Sequence, residues 1–406
     1  MGFTLNPGQE AVVSAAVEWY KNSSELVFQY TGAAGTGKTV VLNEIIKRLN
    51  IPYDSILPMS YTGTAAIVMR NRGMTNAKTI HSSIYEPSEA IMLDENGKPV
   101  MDAYFNKPKT TLKWVKRERL HDIKLMIIDE ASMTPRSMVE DIESFGIKII
   151  ACGDLNQLPP VGDDPGYLVS GKVYRLDQIM RQAEQSGIVY LADRAIKGLP
   201  IHFGFYNNAM VIPEDELTDQ MALNADVILC CKNKTREYVN NLMRNDILKI
   251  RTQYPTFNEP LICRKNNWGI EVNGINLVNG LRGIVRNHPD ITSIRKDLKE
   301  MTIDFLDDGN NLFSQIKMDL QYYRAPQDQK EYLKRSPYNK ADKFELAYAI
   351  TTHLSQGSQY SHGIFMEEFL HRDIMSNLIY TGITRFSNYM IYVKPCLLYT
   401  SPSPRD

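Results

Sequence analysis

Long apolar runs are missing from this 406-residue chain. No stretch approaches the roughly 20 residues that cross a bilayer as a helix, so a membrane-embedded class is not expected. No secretory signal pattern is read at the N-terminus. An excess of either charge is also missing: 46 Lys and Arg face 47 Asp and Glu, for a net charge of −1. There is no global basic field, and any nucleic acid would have to be held by a local groove. The five cysteines are scattered and none forms a CxxC pair; Cys230 and Cys231 sit together in the apolar run ADVILCC. This usage excludes a disulfide framework and reads as buried thiols in a reducing compartment. Seven histidines without HExxH or similar spacing give no support to a zinc site. What remains is ordinary for a soluble globular chain, 43% hydrophobic and 23% charged, long enough for two α/β cores with small insertions.

The most informative segment present is GAAGTGKT, residues 32–39. Glycines let the backbone curl so that successive N–H groups point at phosphate oxygens, at the positive end of the following helix. Gly32, Ala33, Ala34, Gly35, Thr36 and Gly37 form the cradle. Lys38 is placed for the β- and γ-phosphates of ATP and the Thr39 hydroxyl for Mg²⁺. The flanks agree: ELVFQYTG before it reads as a buried strand, and VVLNEIIKRL after it has helical spacing.

A second apolar run, LMIIDEAS, ends in adjacent carboxylates, as a buried parallel strand delivering acids to its C-terminal edge would. Asp129 is the expected Mg²⁺ ligand, and Glu130 is expected to orient or deprotonate the attacking water. Two adjacent carboxylates repel unless a cation offsets them. A third strand, in KIIACGDLNQLPPVG, leads to Gln157, whose neutral amide can bond both a γ-phosphate and a water without adding charge. In this order the three segments resemble superfamily 1 DNA helicases, closest to the RecD and Dda-like group of superfamily 1B.

That resemblance extends over nearly the whole chain. YTGTAA and TIHSSIY resemble segments that track the DNA backbone, with Thr62, Thr64, Thr79 and His81 at the matching positions; helix capping stays open for each Thr. LDQIMRQ and LIYTGITRF resemble segments that supply arginine fingers, which implies Arg181 and Arg385 on the γ-phosphate. AYAITTHLSQGSQY resembles the segment coupling ATP to DNA, with Thr351, Thr352, His353, Ser355, Gln356 and Gly357 matching, of which Thr352, His353, Ser355 and Gln356 are expected to meet DNA and Gly357 the nucleotide. Leu354 departs from it, because relatives usually carry lysine there. LNPGQEAV resembles an adenine-reading segment with Gln9 as the candidate; a helix-start glutamine is the alternative.

The implied fold is α/β, two RecA-like parallel-sheet motor domains, with a small β-hairpin insertion in the first and a small, SH3-like β-barrel insertion in the second. The expected boundaries are 1–85 and 122–197 for the first motor domain, 86–121 for its hairpin or pin, 198–282 and 341–395 for the second, and 283–340 for the β-rich insertion. Asn96 and Gly97 give the hairpin its turn signal, and Pro99 confines its strand to an edge. Trp114 either stacks on an unpaired base or belongs to a plain surface hairpin. Trp268 either touches DNA or packs in a core, with packing the expectation. Residues 396–406 back-translate to a sequence resembling a transposase-library adapter and are expected not to be coding sequence.

The resemblance thus implies an ATP- and Mg²⁺-dependent helicase that moves 5′ to 3′ on single-stranded and forked DNA. It would act as a cytoplasmic monomer in a bacterial or phage-infected cell. Single-stranded-DNA-binding, replisome or nuclease partners are expected beside it. A translocase that does not unwind, a subunit of a nuclease complex, and an ATP-switched binding module remain as alternatives.

Overall fold

The computed structural model describes residues 4–91, 98–101, 108, 110–160, 162–180, 185–287, 298–335, 340–370 and 372–395. Its centre is a pair of six-stranded sheets. The first runs Lys78–Thr79, Ile56–Ser60, Leu125–Asp129, Lys148–Gly153, Val27–Gly32, Val173–Leu176, with every neighbouring pair parallel. A parallel sheet needs cover on both faces, and the strand residues divide accordingly. Phe28, Tyr30, Ile127 and Ile150 pack with Val12, Val13, Val41 and Ile45 of the helices Pro7–Asn22 and Lys38–Leu49. Met126, Ile128, Ile149 and Ala151 pack on the opposite side with Ile80, Ile84 and Ile142.

The second sheet runs Ala349–Thr351, Val227–Cys230, Tyr360–Met366, Phe386–Lys394, Ala209–Pro213, Gly204–Tyr206. All its pairs are parallel except the last, a hairpin at the edge. The helices Gly187–Ile196 and Arg372–Ile383 cover one face, where Leu191, Leu378 and Ile383 join Phe365 and Tyr392 in one core. Leu354, where lysine was expected, packs against this core. The mixed α/β fold read from the sequence is therefore the fold observed. Among the described residues no helix is long and apolar enough to cross a membrane.

Two β-rich pieces are attached to these sheets, besides a short two-stranded hairpin of Asn267–Val272 and Ile275–Leu277. Tyr85–Ile91 and Thr110–Lys116 form an antiparallel ladder from Tyr85↔Lys116 to Ile91↔Thr110. The turn signal Asn96–Gly97 lies outside the described residues. The ladder's base is tied down by the Tyr85 hydroxyl, which donates to Asp141 Oδ2 at 2.6 Å. The other piece is a five-stranded antiparallel sheet, Leu312–Asp319, Glu300–Asp307, Arg282–Val285, Pro260–Cys263, Phe344–Leu346. It reaches beyond the 283–340 segment on both sides, because Pro260–Cys263 and Phe344–Leu346 pair into it rather than into the motor sheet.

This small sheet docks on the first motor unit. Ala66 and Ile67 of the helix Gly63–Asn71 enter the apolar cluster built around Phe305, Phe313 and Phe344. Arg70 of the same helix donates to the backbone carbonyls of Asn273 and Gly274.

Candidate nucleotide site and nucleic-acid face

The seam between the two six-stranded sheets encloses a cavity of about 650 Å³. Lys38, Thr39, Asp129, Glu130, Gln157 and Arg385 all line it, as do Arg72, Asp154, Gly357 and Gln359. Parallel strands deliver these groups because their C-terminal edges share one side, where each chain turns out of the sheet. Gly37 caps the P-loop helix at φ 82°, a left-handed conformation that costs glycine nothing and strains other residues. Lys38 Nζ donates to Gly32 O at 2.7 Å and Ala33 O at 3.3 Å, and lies 3.8 Å from Asp154 Oδ2.

Glu130 sits at φ 52°, an uncommon backbone conformation for a residue with a side chain. Its N–H donates to Asp129 Oδ1 at 2.9 Å. Burial raises the pKa of Asp129, the charge of Glu130 raises it further, and Arg72 opposes both. Glu130 Oε2 and Gln157 Oε1 are buried acceptors without a hydrogen-bond partner. Two orphaned acceptors beside one cavity call for a donor, and a water molecule can supply two protons at once.

Thr39, Asp129 and Glu130 offer hydroxyl and carboxylate oxygens only, a donor set that suits Mg²⁺ shared with phosphates. No cluster of three His, Cys, Asp or Glu side chains able to hold a metal alone occurs among the described residues. Both observations fit a cation that arrives with a nucleotide.

Arg385 enters from the second unit. Only 4% of it is exposed, yet among the described residues its guanidinium bonds neutral acceptors alone: Thr381 O at 3.1 Å, Ser358 O at 3.2 Å and Thr384 Oγ1 at 3.5 Å. A buried cation without a carboxylate is costly unless an anion joins it. Arg181 lies outside the described residues.

Gln9 is buried and does two structural tasks. Its Oε1 accepts from Asn6 N–H to close a capping box, and its Nε2 donates to Thr36 O at 2.9 Å. It holds the P-loop from behind.

The nucleic-acid candidates divide by exposure. Thr62 and Thr79 cap the helices Gly63–Asn71 and Ile80–Ile84, and Thr62 Oγ1 lies 3.2 Å from Thr64 Oγ1. His81, Trp114 and Trp268 form one aromatic cluster: His81 stacks on Trp268 at 4.6 Å, and Trp114 meets both rings edge-on at 4.8 and 5.3 Å. The hairpin of Thr110–Lys116, the first motor unit and the strand Asn267–Val272 therefore touch through three rings, and burial lowers the pKa of His81.

In the second unit, Thr352 and Ser355 have no exposed surface and Gln356 has 4%. Their side chains donate to Cys230 O, Thr352 O and Leu158 O. In this conformation Thr352 and Ser355, expected to meet DNA, offer a strand no surface, and Gln356 offers little. They shape the loop that presents half-buried His353. Gly357, at φ 78°, sits where a Cβ would lie 2.5 Å from Thr62 Oγ1, so the two units close on each other there only because it is glycine.

Sequence reasoning passed over two residues of the seam. The Tyr380 hydroxyl donates to Asp154 Oδ2 at 2.5 Å and accepts from Ala34 N–H at 2.7 Å, joining the last helix to the P-loop. Arg72 donates to Thr39 Oγ1 at 3.1 Å and Gln359 Oε1 at 2.9 Å. Tyr380 was readable as a neighbour of Arg385 within LIYTGITRF; Arg72 carried no local signal.

Comparison with known families agrees with this arrangement. An AAA domain model matches residues 4–213, just over half of the chain. The chain belongs to the AAA-domain family. A UvrD-like helicase C-terminal domain matches residues 346–389, the part that holds Gly357, Tyr380 and Arg385. Its homologues include the ATP-dependent DNA helicase PIF1 of Saccharomyces cerevisiae, 31% identical over 175 residues, 40% of this chain and 18% of the relative. Another is the yeast helicase RRM3, 32% identical over 39% of this chain and 21% of the relative. The chain therefore spans about a fifth of the length of these curated relatives. An uncharacterised protein of Methanocaldococcus jannaschii is 24% identical over 87% of this chain and 35% of its own length.

Among solved structures, Bacteroides Pif1 bound to single-stranded DNA has a TM-score of 0.54 at 17% identity, covering 96% of this chain and 92% of that one. Pif1 of Candida albicans gives 0.51 at 18% identity, covering 97% and 94%. At such identities the likeness establishes the shared fold. The superfamily 1B resemblance read from motif order is thus matched by Pif1-family homologues.

Proposed function

We propose that this chain is an ATP-driven motor that moves along single-stranded DNA and separates duplex ahead of it. The observation that carries this reading is Arg385, a buried guanidinium with neutral partners among the described residues, lining the same cavity as the P-loop but held by the second unit. Such a residue has unmet affinity for an anion, and the anion that the cradle selects is a triphosphate.

In this reading Lys38 and the amides of residues 33–37 hold the β- and γ-phosphates. Thr39 and Asp129 hold Mg²⁺, which when bound neutralises charge on the phosphates. Glu130 and Gln157 share the attacking water through their orphaned oxygens, one as the proton acceptor and one as the orienting group. Arg385 stabilises charge on the transferring phosphoryl, and Arg181 is assigned the same task by motif alone.

Because Arg385 belongs to the second unit, its grip on the phosphate closes the seam, and hydrolysis with release reopens it. Thr62, Thr64, Thr79 and His81 on one side and the loop around His353 on the other then hold a strand alternately, which converts opening and closing into steps. DNA as substrate is inferred from the named relatives, as is 5′ to 3′ movement from superfamily membership. The hairpin beside Trp114 is assigned as the wedge.

The test is strand separation of forked duplexes carrying either a 5′ or a 3′ single-stranded tail, with ATP and Mg²⁺. Separation of the 5′-tailed fork alone is expected. ATP turnover on single strands with both forks left intact would instead identify a translocase without unwinding.

A further inference from the structure

Arg72 has no part in the assignment above, yet its guanidinium lies against an oxygen that the assignment gives to a divalent ion. It donates at 3.1 Å to the Thr39 hydroxyl, the P-loop oxygen that suits Mg²⁺. It lines the same cavity as Asp129, the other oxygen donor of the seat. Its second nitrogen crosses the seam to Gln359 Oε1 at 2.9 Å. A hydroxyl oxygen has a second lone pair to offer, but a guanidinium held against it sets a positive charge beside the place a divalent ion would take. An arginine does not lose its charge to make room, so it has to move.

The position of Arg72 in the chain gives that movement a consequence. It is the C-cap of the helix Gly63–Asn71, whose other end is capped by Thr62 and lies against Gly357. This nine-residue helix thus has one end at the metal seat and the other at the proposed strand contacts. It also carries Ile67 into the core of the small five-stranded sheet and Arg70 to the turn at Asn273 and Gly274.

We propose that Arg72 is a resident cation of the nucleotide site, which holds the seat of the divalent ion in the nucleotide-free protein and is exchanged for that ion when the metal–nucleotide complex enters. In the resting state it offsets the Asp129–Glu130 carboxylates and links the two motor units through Gln359. On exchange the link is released, and the helix Gly63–Asn71 is free to shift at its DNA-facing end. Arg72 is a positioning residue in this scheme, competing with the metal rather than acting on the phosphoryl group. The inference rests on the reading of the cavity as a nucleotide site.

The test is equilibrium binding of a fluorescent ADP analogue to the full chain, with Mg²⁺ and with EDTA, for the wild type, Arg72→Gln and Arg72→Lys. The readout is the ratio of the two affinities, which needs no turnover. Removing a cation that competes for the seat should raise that ratio about tenfold in Arg72→Gln, a modest effect because water screens charges in an open cleft. Arg72→Lys, which keeps the charge, should stay near the wild-type ratio. An unchanged ratio in Arg72→Gln overturns the proposal, as does equal weakening with and without Mg²⁺, which marks a structural role. Arg72→Lys behaving like Arg72→Gln also overturns it. If the wild type binds no ADP analogue, the nucleotide-site reading falls and this inference falls with it.

Discussion

Replacing Arg385 by alanine separates the two things a buried arginine can do. The side chain is 4% exposed and makes three hydrogen bonds, all to uncharged acceptors. Losing them costs about 1 kcal/mol each. Against this, burying a cation without a carboxylate is itself unfavourable by several kcal/mol, and that cost disappears in the variant. The two effects nearly cancel, so Arg385→Ala should unfold within about 2 kcal/mol of the parent chain. Turnover should respond differently, because an arginine on a transferring phosphoryl contributes about 10³- to 10⁵-fold, or about 4–7 kcal/mol. The assay pairs urea unfolding with steady-state phosphate release at saturating single-stranded DNA. Arg385→Lys should not rescue, since an ammonium lacks the planar fork. Turnover within tenfold of the parent, or destabilisation well beyond 2 kcal/mol, would refute the assignment, the latter by showing that the guanidinium has a structural partner.

Glu130→Gln removes the proton acceptor but keeps the shape, so nucleotide binding should persist while turnover falls about 10²- to 10⁴-fold; near-normal phosphate release would remove Glu130 from its role. Trp268→Ala takes out the ring that stacks on His81 at 4.6 Å and meets Trp114 at 5.3 Å, two contacts of about 0.5–1.5 kcal/mol each. Strand separation of forked duplexes should fall more than DNA-stimulated turnover, and an equal fall in both would argue against the clasp. Glu345 is 4% exposed, with Arg236 at 2.7 Å, Arg264 at 3.4 Å and Lys330 at 3.6 Å. Burial alone would raise its pKa, but these cations outweigh burial and hold it below the ordinary value. A carboxylate depressed in the folded state stabilises fully above its unfolded value of 4.5, and the contribution is lost as pH falls through the folded value. Glu345→Gln should therefore cost about 3–5 kcal/mol at neutral pH by stranding three cations, and much less in strong acid. Equal loss at both extremes, followed by chemical denaturation, would show that charge is not the cause.

What could be read from the sequence follows from how local each feature is. The P-loop, the carboxylate-ended strand and Gln157 are contiguous segments whose chemistry is set by neighbours in the chain, and the structure gathers them at one seam. The paired sheets were readable because parallel strands buried on both faces leave runs such as Leu125–Asp129 without polar breaks. Contacts made across the chain left no such trace. Tyr380 reaches Ala34 and Asp154 over more than two hundred residues, and Arg72 finds Thr39 only because a helix turns back over the P-loop. The small sheet was harder to bound for the same reason: Pro260–Cys263 reads as a buried strand whichever sheet it joins, and its partners come from residues 282–285 and 344–346. Polar residues matching a DNA-contact motif were readable as a group. Which of them keep a surface was not, since the burial of Thr352 and Ser355 depends on Cys230 and the loop that folds over it.

The central claim is that this cavity hydrolyses ATP in step with a strand held across both units. Its most direct test is steady-state ATP hydrolysis by the full chain, with and without an unstructured single-stranded DNA. Strong stimulation by DNA, abolished in Arg385→Ala, is the predicted result. Hydrolysis of the same rate with and without DNA, by protein shown to be folded, would contradict it.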